Sequence, residues 1–473
     1  MKALIDVRPT AEQLALFSRV SPGVEVIRGA AGSGKTTTAL LKLRSSAGFY
    51  LNRARRQTTP RPVNVLVLTF NRTLRGYITE LTQKQLQQEP LICLEISTFN
   101  KWAQHLTGAA GILGIEDTAA HLRRFASSMK MDTQFLVDEA TYVLGRFLSD
   151  NLDDYLTARR DGRGITPRME KPVRQLLLDN VIRPYNDFKR QHNLVDWNDL
   201  AFHLAANKLR EYDVIVVDET QDFSANEIRA VLNQGSADAS VTFVLDSAQR
   251  IYSRNFTWAE VGVTLRPEKS STLQTNYRNT RQIAQFASAM LSGLRLDDNG
   301  TMPNYDSARS EGEKPIVVTG SYTHQVQFAI DYLRNVDLDE QSVAFLHPKG
   351  WFRDLRPVLE HHGLAYVNLT GAPHWPQGPE NIALCTVHSC KGLEFDHVIM
   401  LGLDGSILDV SRPDDEESDE GDKEDYELST RLRRLIAMGI GRARESVILG
   451  FKPSDAPDIM RFVDEELYQG VEV

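Results

Sequence analysis

Cysteine is scarce: Cys93, Cys385 and Cys390 are the only three in 473 residues. Three cannot build a disulfide framework, and none stands in the CxxC spacing of a metal knuckle. Long apolar runs are missing as well. No stretch of about 18 apolar residues occurs, so no membrane-spanning helix and no membrane partner is expected. The opening MKALIDVRPTAEQL lacks the apolar core of a secretory signal, and the expected compartment is the cytoplasm. Net positive charge is also lacking: the chain carries −9, which taken alone speaks against a polyanion partner. Yet DDEESDEGDKEDYE at 414–427 holds ten acids and one lysine, the same net charge as the whole chain. The remainder therefore sums to zero, and a neutral body can still present a basic groove. The acidic run itself is expected to be an exposed loop, with mimicry or repulsion of a polyanion as the alternative.

What is present fits a globular chain, 41% apolar and 25% charged, too long for one ordinary core. Two or three domains are expected. VEVIRGAAGSGKTTTALLKL predicts strand, glycine loop and helix, with Leu40, Leu41 and Leu43 on or near the helix's buried side. Val63–Thr69 (VNVLVLT) predicts a fully buried central strand, and another strand ends at Ser97. From 103 to 208 helical spacing takes over. The β pattern returns in YDVIVVDET and VTFVLDS, separated by the helical SANEIRAVLNQ, which argues for βαβ units and a parallel sheet. Beyond 271, PIVVTG, SVAFLH, NIALCTV and HVIMLGL predict strands of a second α/β domain. TRQIAQFASAMLS, THQVQFAIDYLRNV and STRLRRLIAMGIGRARES predict its helices.

Gly29–Thr36 reads G-A-A-G-S-G-K-T, the pattern G-x-x-x-x-G-K-[ST], between a predicted strand and helix. Gly29, Ala30, Ala31, Gly32, Ser33 and Gly34 would wrap backbone N–H groups around phosphates. The following helix points its positive end there, with Thr37 in its first turn. Lys35 would reach the β and γ phosphates, and Thr36 would ligate Mg²⁺ through its hydroxyl. Asp218, leaving a buried strand in VVDETQD, is the second expected metal ligand. Glu219 beside it could orient or deprotonate an attacking water. FLVDEA at 135–140 has the same local look, but its helical surroundings give Asp138 and Glu139 a structural or surface role. These signals imply ATP or another nucleotide with Mg²⁺. They leave kinase, switch and motor open.

Gln249, N276-Y-R278, T386-V-H-S-C-K-G-L-E-F395 and G441-R-A443 follow in order. With them the sequence resembles the UvrD/Rep-like helicases of superfamily 1 over nearly its whole length. The resemblance implies an α/β fold of two RecA-like P-loop NTPase domains with a mainly helical insertion in the first. The first domain would take 1–102 and 209–270, the insertion 103–208 and the second domain 271–473. It implies ATP-driven 3′-to-5′ movement on single-stranded DNA. Gln13 would read the adenine edge and Tyr277 would stack on the base. Arg278 and Arg442 would reach the γ phosphate from the second domain. Gln249 would sense that phosphate, Gln221 and Asp222 would relay between domains, and Glu394 would lie near the ribose and phosphates. The expected DNA track comprises Thr69, Phe70, Asn71 and Arg72; Thr98, Phe99 and Asn100; and Tyr252, Phe256 and Trp258. Thr386 and His388 would be DNA-side or interdomain contacts. Aromatic faces stack on bases without choosing a sequence, and polar neighbours hold phosphates. A core place for Phe70 or Phe99 is the alternative.

Departures from the family pattern are Cys390 for an alanine-like residue, Gly441 for threonine and Ala437 for an aromatic. About 110 residues separate Asn276 from Thr386, enough only for the second core domain. A second accessory domain is therefore expected to be absent or vestigial. The expected activity is that of a DNA 3′–5′ helicase or translocase on single strands and single/double-strand junctions. The alternative is an ATP-dependent clamp or motor subunit working with a nuclease or repair factor in a repair or phage-defence complex. RNA as the track is a third reading.

Overall fold

Val63–Thr69 forms strand β2, with every side chain from Val65 onward buried. A strand covered on both faces needs helices above and below, and this requirement sets the architecture. The structure, a computed structural model, describes residues 10–18, 20–29, 33–69, 75–76, 78–79, 89–160, 168–245, 256–273, 276, 278–294, 310–372, 375–376, 378–408 and 421–473. The first sheet contains β1 (Gly23–Gly29), β2, β3 (Ile92–Thr98), β4 (Tyr212–Val217), β5 (Gly235–Leu245) and β6 (Ser270–Leu273). Their order is β3-β2-β4-β5-β1-β6, with every pairing parallel. Helix α1 (Ala11–Phe17) precedes β1, and α2 (Lys35–Arg55) follows it, burying Leu40 and Leu43.

The second sheet contains β7 (Ile316–Thr319), β8 (Val343–His347), β9 (Tyr366–Asn368), β10 (Ile382–Thr386), β11 (Phe395–Met400), β12 (Ala443–Phe451) and β13 (Gln469–Glu472). It is also parallel throughout, in the order β13-β7-β12-β11-β8-β10-β9. The two sheets are those of the two RecA-like domains. Among the described residues no helix is long and apolar enough to cross a membrane.

The described residues between Phe99 and Ala206 are mainly helical, and their packing divides them. Leu122, Leu136, Tyr155, Val181 and Tyr185 belong to a separate apolar core. The helices Phe99–Thr107 and Trp197–Ala206 instead lay Trp102, Ala103, Leu200 and Leu204 against the first sheet. The separate bundle is fastened to helix Ala225–Asn233 through buried polar groups. Asn226 donates to the carbonyls of Leu144 and Phe147 at 3.0 and 2.9 Å, and Arg229 to that of Arg146 at 2.7 Å. Such bonds satisfy carbonyls that the end of a buried helix leaves open.

Two sequence expectations need correction. The helix expected to run through Ser446 ends at Ile440, and Ala443–Phe451 is β12. Its run Val447–Phe451 is buried between β11 and β7, and that burial outweighs the helical spacing upstream. The acidic stretch is not loop throughout: Gly421–Glu427 opens the helix Gly421–Ile440. Residues 409–420 lie outside the described ones.

Candidate nucleotide cleft and nucleic-acid interface

β1 delivers the glycine loop to the start of α2. A side chain at Gly29 would strike Ser33 Oγ, approach Lys35 Cγ to 2.9 Å and crowd Leu273 of β6 at 3.3 Å. Gly34 has φ +74° and caps α2, and a Cβ there would meet Gln13 Nε2 at 2.5 Å. Glycine is required at both positions by close approach, and at Gly34 also by backbone conformation. Gln13 is buried, donating to the Gly34 carbonyl at 3.2 Å and accepting from Thr10 N at 3.0 Å. It therefore braces α1 against the loop, and an amide retains a second N–H and a second lone pair for a ligand. Ser33 is buried and Thr37 half-buried. Ala30, Ala31 and Gly32 lie outside the described residues.

β4 carries Asp218 to the floor of this loop. Thr36 Oγ1 donates to Asp218 Oδ2 at 2.9 Å, and both residues are buried. A converging hydroxyl and carboxylate form a hard-oxygen set that suits Mg²⁺. Burial, aided by Glu219, pushes the Asp218 carboxyl up to about 7 against the pull of Thr36 and Lys35. Glu219 goes the other way. Burial would raise it, but the charges of Lys391, Arg442 and Lys35 hold it below the usual carboxylate range. Adjacent carboxylates with opposed shifts suit different tasks, and Glu219 stays ionised. Its backbone is left-handed, at φ 54° and ψ 41°, a conformation that costs a non-glycine residue about 1–3 kcal/mol. The following turn, Thr220–Asp222, is buried, and Gln221 donates to Glu219.

The second sheet supplies the cations. Lys391, in the turn after β10, pairs with Asp222 and lies 3.4 Å from Glu219. Arg442, in the turn before β12, is buried and acts electrostatically on both Glu219 and Glu394. Arg278 pairs with Glu394 and donates to the Gly441 carbonyl at 3.4 Å. Burial raises the Glu394 carboxyl, but Arg278 overrides that and keeps it low. Arg278 Nε is buried with no hydrogen-bond partner among the described residues, so one face of this guanidinium still has a donor to place. Sequence reasoning missed the support beneath it. Asn276 Oδ1 accepts from the Arg278 and Asn279 amides at 3.1 Å each, and Asn279 Nδ2 donates to the Gly441 carbonyl at 3.2 Å. The two asparagines thereby fasten Arg278 to the strand-turn that bears Arg442. Gln249 and Tyr277 lie outside the described residues.

On the expected nucleic-acid side the structure buries two residues, Phe99 and Thr69. Phe99 is buried, edge-on to Trp102 and Phe223 at 5.6 and 6.1 Å, so it is core and not track. Thr69 is buried too, while Thr98 and Asn100 are half-buried. Trp258 and Phe256 are half-buried, and Trp258 leans on core Phe243 at 5.2 Å. Thr386 and His388 are half-buried at the end of β10, and burial, with Arg431 and Lys391, lowers the His388 imidazole. Phe70, Asn71, Arg72 and Tyr252 lie outside the described residues.

The second acidic pair is also resolved. Glu139 is fully buried, accepts two bonds from Arg160 at 2.8 Å and one from Tyr155 at 2.6 Å. Asp138 is exposed and bonds Gln134 at 2.9 Å. Removing one member of a buried pair strands the other charge. Glu139→Ala should therefore cost about 3–5 kcal/mol in urea unfolding, against about 0.5 kcal/mol or less for Asp138→Ala. An unchanged unfolding midpoint with lost ATP turnover would reverse this structural assignment.

The model for an AAA domain matches residues 12–255, just over half of the chain, and that for a UvrD-like helicase C-terminal domain matches 347–451. A probable DNA helicase of Mycoplasma pneumoniae is 24% identical over 413 residues, covering 80% of this chain and 73% of that protein. DNA helicase IV of Escherichia coli is 23% identical over 499 aligned positions, covering 93% of this chain and 68% of its own length. The crystal structure of the C-terminal domain of a possible DNA helicase from Lactobacillus plantarum is 20% identical and covers 41% of this chain and 99% of its own. Its TM-score of 0.30 is too low to bear on the fold. The two family models, matched in order along a single chain, and the two helicase relatives place the protein in the family of UvrD/Rep-like DNA helicases.

Proposed function

We propose that this protein is an ATP-driven DNA motor that moves 3′ to 5′ along a single strand and opens duplex ahead of it. One observation carries the reading: the turn after β10 touches both halves of the cleft. It begins at Thr386 and His388 on the expected DNA side. Its Lys391 reaches Asp222 and Glu219 of the first domain, and Glu394 holds Arg278. A shift of that turn on DNA is therefore communicated to the proposed base and to an arginine facing the nucleotide.

In this mechanism Gly29, Gly34 and the α2 N-terminus receive the phosphates, and Lys35 neutralises them. Thr36 and Asp218 would hold Mg²⁺, which supplies charge neutralisation at the β and γ phosphates. Ionised Glu219 orients the attacking water and accepts its proton. Arg278 and Arg442 stabilise charge on the transferred phosphoryl group once the domains close. The described chain from Ser310 to Thr386 is occupied by elements of the second sheet and its helices. That favours tracking over strong unwinding by the protein alone, with a partner such as a nuclease or repair factor adding the rest.

The test is strand displacement on duplexes with a 3′ or a 5′ single-stranded tail. ATP-dependent displacement from the 3′-tailed duplex alone is expected. Displacement from the 5′ tail reverses the polarity. ATP-dependent residence on DNA without movement or displacement replaces the motor with a clamp.

A further inference from the structure

The ring of Trp351 is 54% exposed, although it belongs to the chain's largest apolar residue type. An isolated exposed apolar residue needs no explanation, but this one is held in place. It stacks on His347, with ring centroids 5.7 Å apart and planes within 12° of parallel. His347 is buried at the end of β8, and its Nδ1 accepts from the amides of Lys349 and Trp351 at 3.1 and 3.3 Å. Burial drives its imidazole down to about 4, so the supporting ring is neutral at ordinary pH. Gly350 closes the turn at φ +71°, and a Cβ there would press on Thr386 Cγ2 at 3.0 Å. Phe352, buried, anchors the far side. The indole thus stands fixed at the same ends of the second sheet's strands as Thr386.

Its surroundings are cationic. Lys349 Nζ lies over the indole ring, 5.6 Å from its centroid, and Arg353 and Arg356, next along the chain, are exposed, with exposed Asp354 the one acid in 349–356. An exposed, pre-ordered aromatic among exposed cations is the composition of a single-strand platform: the ring takes a base and the cations take phosphates. Pre-ordering matters because the entropy of fixing the ring is lost on folding and not on binding.

We propose that Trp351 is a base-stacking platform for single-stranded DNA in the second domain, one nucleobase lying on the ring face turned away from His347. This rests on the reading of DNA as the track. The test is fluorescence anisotropy of a labelled oligo-dT with the full-length protein. Trp351→Ala should weaken binding by about 5- to 150-fold, the range of one lost stacking contact. Trp351→Phe should stay within a few fold, and thermal unfolding of both variants should match the parent. Irradiation of the parent with an oligonucleotide carrying 5-iodouracil should place a cross-link on Trp351. Alanine binding equal to the parent, phenylalanine as weak as alanine, or cross-links that spare residue 351 would overturn the platform alone. Failure of the parent protein to bind oligo-dT at all would remove the DNA-track reading and the platform with it.

Discussion

Lys35→Ala should lower ATP turnover by about 10³-fold or more, the scale set by one charged transition-state contact, while binding of single-stranded DNA remains measurable. Lys35 is the first residue of α2, so its place follows from the loop that begins the helix. Its charge acts on Asp218 and Glu219 together. Truncation therefore removes a proposed phosphate contact and also one of the cations compensating two buried carboxylates. Steady-state hydrolysis with and without DNA, beside a DNA-binding titration, gives the comparison. Normal hydrolysis by this variant would remove the glycine loop from the active site.

Arg442→Ala should have a comparable effect by a different route. Arg442 is fixed by its own backbone: its carbonyl accepts from Phe395 N and its amide donates to the Gly439 carbonyl, each at 3.0 Å. Those bonds fix the Arg442 main chain in the turn before β12. Loss of an arginine that stabilises a phosphoryl transition state costs about 10³–10⁵ in kcat. Nucleotide affinity, measured with a non-hydrolysable analogue, should change only a few fold. Arg442→Lys should rescue little, because an ammonium lacks the planar fork. Equal losses in kcat and affinity would instead assign Arg442 to nucleotide binding.

The phosphate side of the proposed site could be read because its chemistry is local. Gly29–Thr36 and Asp218–Glu219 each follow a buried strand, and both strand and loop are written in consecutive residues. The second-domain side was legible only through family resemblance, since Arg278 and Arg442 look like any surface arginines. The asparagines beneath Arg278 were hidden for a physical reason: Asn279 works through carbonyls more than 160 residues away in sequence. Phe99 misled because an aromatic beside an asparagine is written alike whether it faces solvent or Trp102. Strands β6, β9 and β13 were missed because edge strands of three or four residues bury little and show little alternation. Trp351 escaped notice because only its stacking on buried His347 separates it from an incidental exposed indole.

The order of strands in the first sheet has a consequence for synthesis. β1 and β2 are not neighbours: β1 lies between β5 and β6, and β2 between β3 and β4. When β3 has left the ribosome, β1 has no partner and β2 has only one. The next strand, β4, begins at Tyr212, roughly 110 residues later. At about 5–20 residues per second, that delay is on the order of ten seconds. Through it, the buried faces of Val26, Ile27 and Leu66 remain open to the cell, with the nascent helices after Phe99 and any holding chaperone as their available cover. Substitutions that weaken the helical bundle should therefore lower the yield of soluble protein more than their effect on equilibrium stability would suggest.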